Sequence, residues 1–167
     1  MFTSMFLLAF HGFLRPGEIS GKLHNITFDM CTIFNDSMQI DFSHFKHSAG
    51  VSAKILVPAS FDKFCPRNAL LKYISFRGCK PGYLFCDRHD MDKPVSYYKL
   101  SKIVRLIVKY LCINGVLTPH SFRIGAATWA ARQGCSLEEI MRMGRWASDA
   151  VKNYIRIPSI QLKLFKS

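Results

Sequence analysis

The stretch TPHSFRIGAATWAARQG, residues 118–134, predicts a helix over about 119–133. Thr118 suits the N-cap and Pro119 the first helical position. A cap oxygen satisfies a free backbone N–H, and proline has none to lose. On such a helix His120 and Arg123 lie three apart and share a face. Both fall in the first turns, where unpaired N–H groups and the helix dipole favour an anion. An imidazole and a guanidinium placed there suit a phosphate. Taken alone, the same pattern also describes a capping-region histidine and a solvated arginine.

Downstream, Ser136-Leu137-Glu138-Glu139 is a capping box that opens a helix over 137–143. Ser148-Asp149 caps a further expected helix over 149–156. Gly144-Arg145-Trp146 lies between them, and Tyr154 follows the tryptophan by 154 − 146 = 8 residues. Most tyrosines are half-buried aromatics, and a lone tryptophan is usually core. The two helices around Gly144 also resemble a helix-turn-helix, the pattern of a non-catalytic DNA-binding module.

Upstream, residues 2–12 read as a buried helix ending near Gly12. Arg15-Pro16-Gly17-Glu18 is then a turn or a new helix start, because Pro and Gly punctuate it. A carboxylate three residues after an arginine can hold the guanidinium rigid, although a surface ion pair is the ordinary reading. Three strands are expected near 25–30, 37–43 and 52–58. Met38-Gln39-Ile40-Asp41-Phe42 alternates as a half-buried strand should, and Ser48-Ala49-Gly50 suits a turn. Lys46 closes the second strand. A lysine there reaches a DNA backbone, donates a proton, or simply solubilises an edge. Helices are expected over 66–76 and 96–112, with a short extended piece at 83–85. In the second helix Leu100, Ile103, Val104, Ile107 and Leu111 lie on one side. The class is α+β: a small three-stranded antiparallel sheet near the N-terminus, then a mostly helical body.

Bulk composition narrows the partners. The chain has 167 residues, enough for one domain with a core, and an apolar share of 49% excludes a disordered chain. Its 23 Lys and Arg against 11 Asp and Glu leave a net charge of +12, which favours a polyanion. The six cysteines contain no Cys-x-x-Cys pair, and Cys79, Cys86 and His89 fit no common zinc spacing. They read as reduced thiols of an intracellular protein. The apolar first fourteen residues are too short to span a bilayer and lack an export leader, so no membrane partner is expected.

In chain order these pieces give Arg15, Lys46, His120-x-x-Arg123, Trp146 and Tyr154. The set resembles the tyrosine recombinase and integrase family. The blocks TPHSFRIGAATWAARQG and MGRWASDAVKNYIR (143–156) are worded most like recombinases of DIRS-type and Crypton-type eukaryotic mobile elements. The resemblance covers about residues 5–156 and implies a catalytic domain over 1–156 followed by a tail, 157–167. The two-domain DNA clamp of the family would lack its N-terminal half in this chain.

The resemblance implies DNA cleavage and rejoining through a 3′-phosphotyrosyl bond, with no metal and no cofactor. Tyr154 would be the nucleophile. Arg15 and Arg123 would clamp the non-bridging oxygens, where fork geometry and fixed charge suit the transition state. His120 would act as base or hydrogen-bond donor and Lys46 as general acid. Trp146 would donate its indole N–H, and Glu18 would orient Arg15. Arg145 and Arg156 would bind DNA. The implied partners are double-stranded DNA and further copies of the chain, with Leu162, Leu164 and Phe165 docking on a neighbour. The implied compartment is the nucleus. A catalytically silent DNA-binding remnant, an interaction-only domain and a type IB topoisomerase are the competing readings.

Overall fold

The computed structural model describes residues 1–21, 24–42, 52–87 and 90–156. Helix α1 (Phe2–His11) buries Met5, Leu8 and Ala9. It stops at Gly12, whose N–H donates to the Leu8 carbonyl at 2.9 Å. A Cβ on Gly12 would sit 2.9 Å from that same oxygen, so the close turn needs glycine. Arg15 is extended and forms the N-cap of the short helix α2 (Pro16–Ile19), with proline at the first helical position.

Strands β1 (Cys31–Ile33), β2 (Ser37–Phe42) and β3 (Ala53–Pro58) form an antiparallel sheet in the order β1-β2-β3. On β2, Met38, Ile40 and Phe42 face the core while Gln39 and Asp41 lie between them, the expected alternation. The expected strand at 25–30 is not one. Residues 28–30 form a 3-10 turn, and the strand starts at Cys31. Ile26 spends its backbone elsewhere: its N–H goes to the Glu18 carbonyl and its carbonyl takes the Leu84 N–H, both at 2.9 Å. Thr27 bridges Tyr83. The expected turn at 48–50 lies outside the described residues.

Helix α3 (Pro66–Arg77) follows. A small hairpin, β4 (Cys86–Asp87) and β5 (Asp90–Pro94), comes just after the expected extended piece. Helix α4 (Tyr97–Tyr110) is capped by Ser96. Its expected apolar stripe is buried only in the first half: Leu100 is fully covered, whereas Leu111 is 58% exposed.

Helix α5 (Ser121–Arg132) starts later than expected, with His120 and not Thr118 at the N-cap. Thr118 and Ser121 close a turn on each other first, through Ser121 N–H to the Thr118 carbonyl and Thr118 N–H to Ser121 Oγ. Helix α6 (Leu137–Gly144) carries the expected Ser136–Glu139 capping box. The expected helix at 149–156 is a 3-10 turn over Asp149–Asn153. Tyr154 ends it because Thr128 of α5 intervenes. The Thr128 hydroxyl donates to the Tyr154 carbonyl and accepts the Arg156 N–H, each at 3.1 Å. Without a second α-helix after Gly144, the helix-turn-helix resemblance does not hold.

Two cores meet at α1. One gathers Met5, Leu8, Ile40, Phe42, Leu70, Phe85 and Leu100. The other gathers Phe13, Ala126, Ala127, Ala130, Ile140 and Val151. Alanines along α5 let it approach α1 closely, and Gly125 faces the Phe10 ring, with a Cβ position 3.5 Å away. That packing brings the end of α1, the start of α5 and the end of α6 together. Among the described residues no helix is long and apolar enough to cross a membrane.

Candidate active site

The Tyr154 hydroxyl lies 2.9 Å from His120 Nε2, and the two rings are 5.1 Å apart. Both line a cleft of about 690 Å³, together with Arg15, Glu18, His24, Arg145 and Trp146. The 3-10 turn supplies Tyr154 and the N-cap of α5 supplies His120. Neither position depends on the helix expected around the tyrosine.

Arg15 is held at three points. Its Nη1 pairs with Glu18 Oε1 at 3.1 Å, its Nη2 donates to the Arg145 carbonyl at 3.0 Å, and its backbone N–H donates to Glu18 Oε2 at 2.7 Å. Glu18 also takes Arg145 Nη2 at 2.6 Å. One carboxylate, 2% exposed, thus bridges two guanidiniums. The sequence assigns Glu18 only to Arg15; its second partner is 127 residues away. Arg145 is left-handed, with φ 57°. That turn after α6 presents the carbonyl Arg15 uses.

Arg123 takes a different place from the one expected. It does not stand beside His120 over the cleft. It is 1% exposed and donates to the carbonyls of Phe13 and Gly144. The Trp146 ring covers it at 3.8 Å. Burial first, then Arg15 and Arg145, push its pKa down to about 9. It therefore stays charged at neutral pH and lies as a fixed cation beneath the aromatic floor. Burial, then Arg123 and Arg15, push His120 below the usual 6.5. At neutral pH the imidazole is neutral. With its proton on Nδ1, its Nε2 accepts the phenol proton.

Trp146 meets the Tyr154 ring edge-on at 5.0 Å. Its contact with the site is the ring face and edge. The indole also lies where a Cβ on Gly144 would be, within 1.6 Å. Gly144→Ala should therefore expel Trp146 and uncover Arg123. The expected loss is about 1–3 kcal/mol, the usual cost of overpacking, measured by urea unfolding. An unchanged midpoint would show that the ring has room to move.

Arg156 is exposed and does not line the cleft. Lys46, His89 and the tail at 157–167 lie outside the described residues. Among the described residues no group of three His, Cys, Asp or Glu is placed to hold a metal, and all six cysteines are free thiols. His24 is a cleft residue that the sequence reading missed. It sits in a stretch with no motif, beside a segment read as strand.

The sequence model of the Phage integrase family matches residues 3–158. No curated protein matches in sequence. The fold is similar to that of XerA recombinase (TM-score 0.75, 19% identity, covering 97% of this chain and 55% of that one). It is also similar to XerH site-specific recombinase in a post-cleavage complex with palindromic difH substrate (TM-score 0.72, 16% identity, 97% and 43%). A third likeness is to the Tn1549 transposon integrase with circular intermediate DNA (TM-score 0.64, 16% identity, 96% and 56%). The chain spans about half the length of these structures.

Proposed function

We propose that this chain, which belongs to the phage integrase family, is a tyrosine recombinase catalytic domain that cuts and rejoins DNA through Tyr154. The observation that carries the reading is the Tyr154–His120 pair at 2.9 Å on the wall of an arginine-lined cleft. A phenol needs a base or a positive field to attack phosphate. His120 supplies the first, and Arg15, Arg123 and Arg145 supply the second.

In this reading the scissile phosphate sits in the cleft against Arg15. Neutral His120 takes the proton as the Tyr154 oxygen attacks phosphorus. A 3′-phosphotyrosyl bond forms, and the 5′-oxygen leaves with a proton that Lys46 is assigned to give. Arg123 contributes its charge from beneath Trp146, and guanidiniums do the charge neutralisation a metal does elsewhere. Attack by a 5′-hydroxyl reverses the step and conserves the bond energy. Double-stranded DNA, assembly of several copies on it, a mobile-element origin of the DIRS or Crypton kind and a nuclear site of action complete the proposal. Support for the DNA partner comes from the relatives, two of which are complexes with DNA.

The test is a pool of nicked duplexes of varied sequence, incubated with the chain and resolved under denaturing conditions. A protein–DNA adduct whose DNA-bearing peptide contains Tyr154 supports the reading. Tight binding without adduct supports a silent binding module. Relaxation of supercoiled plasmid by monomer would favour a topoisomerase.

A pH limb also follows. The folded His120 pKa is lowered, so the acceptor form persists below the usual imidazole range and is lost as pH falls further. Adduct formation should be flat near neutrality and decline only below pH 6.5. A decline centred above that value would remove His120 as the base.

A further inference from the structure

We propose that His24 is a DNA-backbone residue of this cleft, its imidazole N–H donating to a phosphate next to the one Tyr154 attacks. The inference rests on the reading of the cleft as a DNA-cleavage site. Two independent observations carry it.

The first is placement. His24 lines the cleft together with Arg15, His120, Arg145 and Tyr154. The residue is exposed, and its ring has no hydrogen bond to any described residue. The acid of the lining, Glu18, is already engaged by Arg15 and Arg145. The charged groups His24 shares the cleft with are therefore two guanidiniums and the one carboxylate they already hold. An added imidazole has little reason to face them unless an anion comes between.

The second is backbone conformation. His24 has φ 58°, in the left-handed region that is uncommon outside glycine and that histidine enters more often than most other side chains. The chain is fastened on both sides. Gly21 N–H donates to Val95 at 2.9 Å, and buried Asn25 reaches back through Nδ2 to the Gly21 carbonyl at 2.8 Å. Ile26 is fully buried and pinned to Glu18 and Leu84. The fold thus fixes a left-handed turn where glycine would be easier, yet places a histidine there on the cleft lining. Strain of this kind concentrates at functional sites. Burial does not explain the residue, since it is exposed.

The experiment compares the full chain with His24→Asn and His24→Gly, two residues that tolerate the left-handed turn without an imidazole. Binding to a short duplex DNA is followed by fluorescence anisotropy against salt at two pH values, about 5.5 and about 8. Groups facing the cleft besides His24, namely Arg15, Glu18, His120, Arg145 and Tyr154, are the same in all three proteins. Both variants should bind about fivefold to tenfold more weakly at the lower pH. Their slope of log affinity against log salt there should be shallower by about 1, the loss of one phosphate contact. Melting temperatures should be unchanged for Asn and unchanged or raised for Gly.

Equal affinity and slope in all three proteins overturns the inference, as does weaker binding that appears only with a lowered melting temperature. If those results come while wild type still forms the Tyr154 adduct, the reading of the site stands without His24. If wild type forms neither complex nor adduct, that reading fails and the inference falls with it.

Discussion

Tyr154→Phe should abolish the covalent protein–DNA adduct while leaving the fold and reversible DNA binding in place. The substitution removes one oxygen. It deletes the hydrogen bond to His120, worth about 1 kcal/mol net in a half-buried setting. The ring keeps its edge-on contact with Trp146 and its tilt against His120. The tie from Thr128 survives, because it is made to the backbone carbonyl of residue 154. Stability should therefore fall by no more than about 1 kcal/mol, whereas the proposed chemistry has lost its nucleophile. Labelled nicked DNA on a denaturing gel reads the adduct, and thermal unfolding reads the fold. His120→Ala is the companion. It keeps the phenol and removes the base proposed for it, so adduct should form more slowly by about 100-fold or more. An adduct that persists in Tyr154→Phe would mean that another residue attacks the phosphate.

The parts legible in the sequence are those whose causes are local. The Ser136–Glu139 box is written within four residues, and α6 begins where it says. The alternation at 38–42 is equally local, and β2 follows it. What escaped was set by distant partners. Residues 149–156 carry a helix start, but Thr128 captures the backbone of Tyr154 and Arg156 and stops the helix. Ile26, Phe28 and Met30 alternate like a strand, yet Ile26 bonds to Glu18 and Leu84 in place of a sheet neighbour. The β4–β5 hairpin falls in a charged stretch with little apolar alternation, so no period marks it. The site shows the same division. Spacing on a helix puts His120 and Arg123 together, and both do sit at the start of α5. Their opposite fates come from the carbonyls of Phe13 and Gly144, which draw Arg123 inward from 110 and 21 residues away. Arg145 as a second partner of Glu18 has no local signal at all.

Glu18→Gln is expected to be the most damaging single substitution for stability near the cleft. Arg15, Arg123 and Arg145 are three guanidiniums within electrostatic reach of one another, and Glu18 is the acid that opposes them. The local balance is 3 − 1 = +2 with the carboxylate and +3 without it. Glutamine keeps the shape and one acceptor oxygen but loses both ion pairs. Breaking a buried pair by neutralising one side typically costs about 3–5 kcal/mol. Arg15 is one-fifth exposed, which places the loss near the lower end, about 3 kcal/mol or a fall of roughly 6–12 °C in melting temperature. The same imbalance predicts a rescue. A phosphate diester in the cleft supplies the missing negative charge, so duplex DNA should raise the melting temperature of Glu18→Gln more than that of wild type, at equal saturation. Destabilisation without rescue would make Glu18 a structural acid whose cluster has no phosphate to receive. An unchanged melting temperature would mean that the arginines do not depend on it. Destabilisation with rescue is the result expected if the cluster keeps a surplus of positive charge that bound DNA offsets.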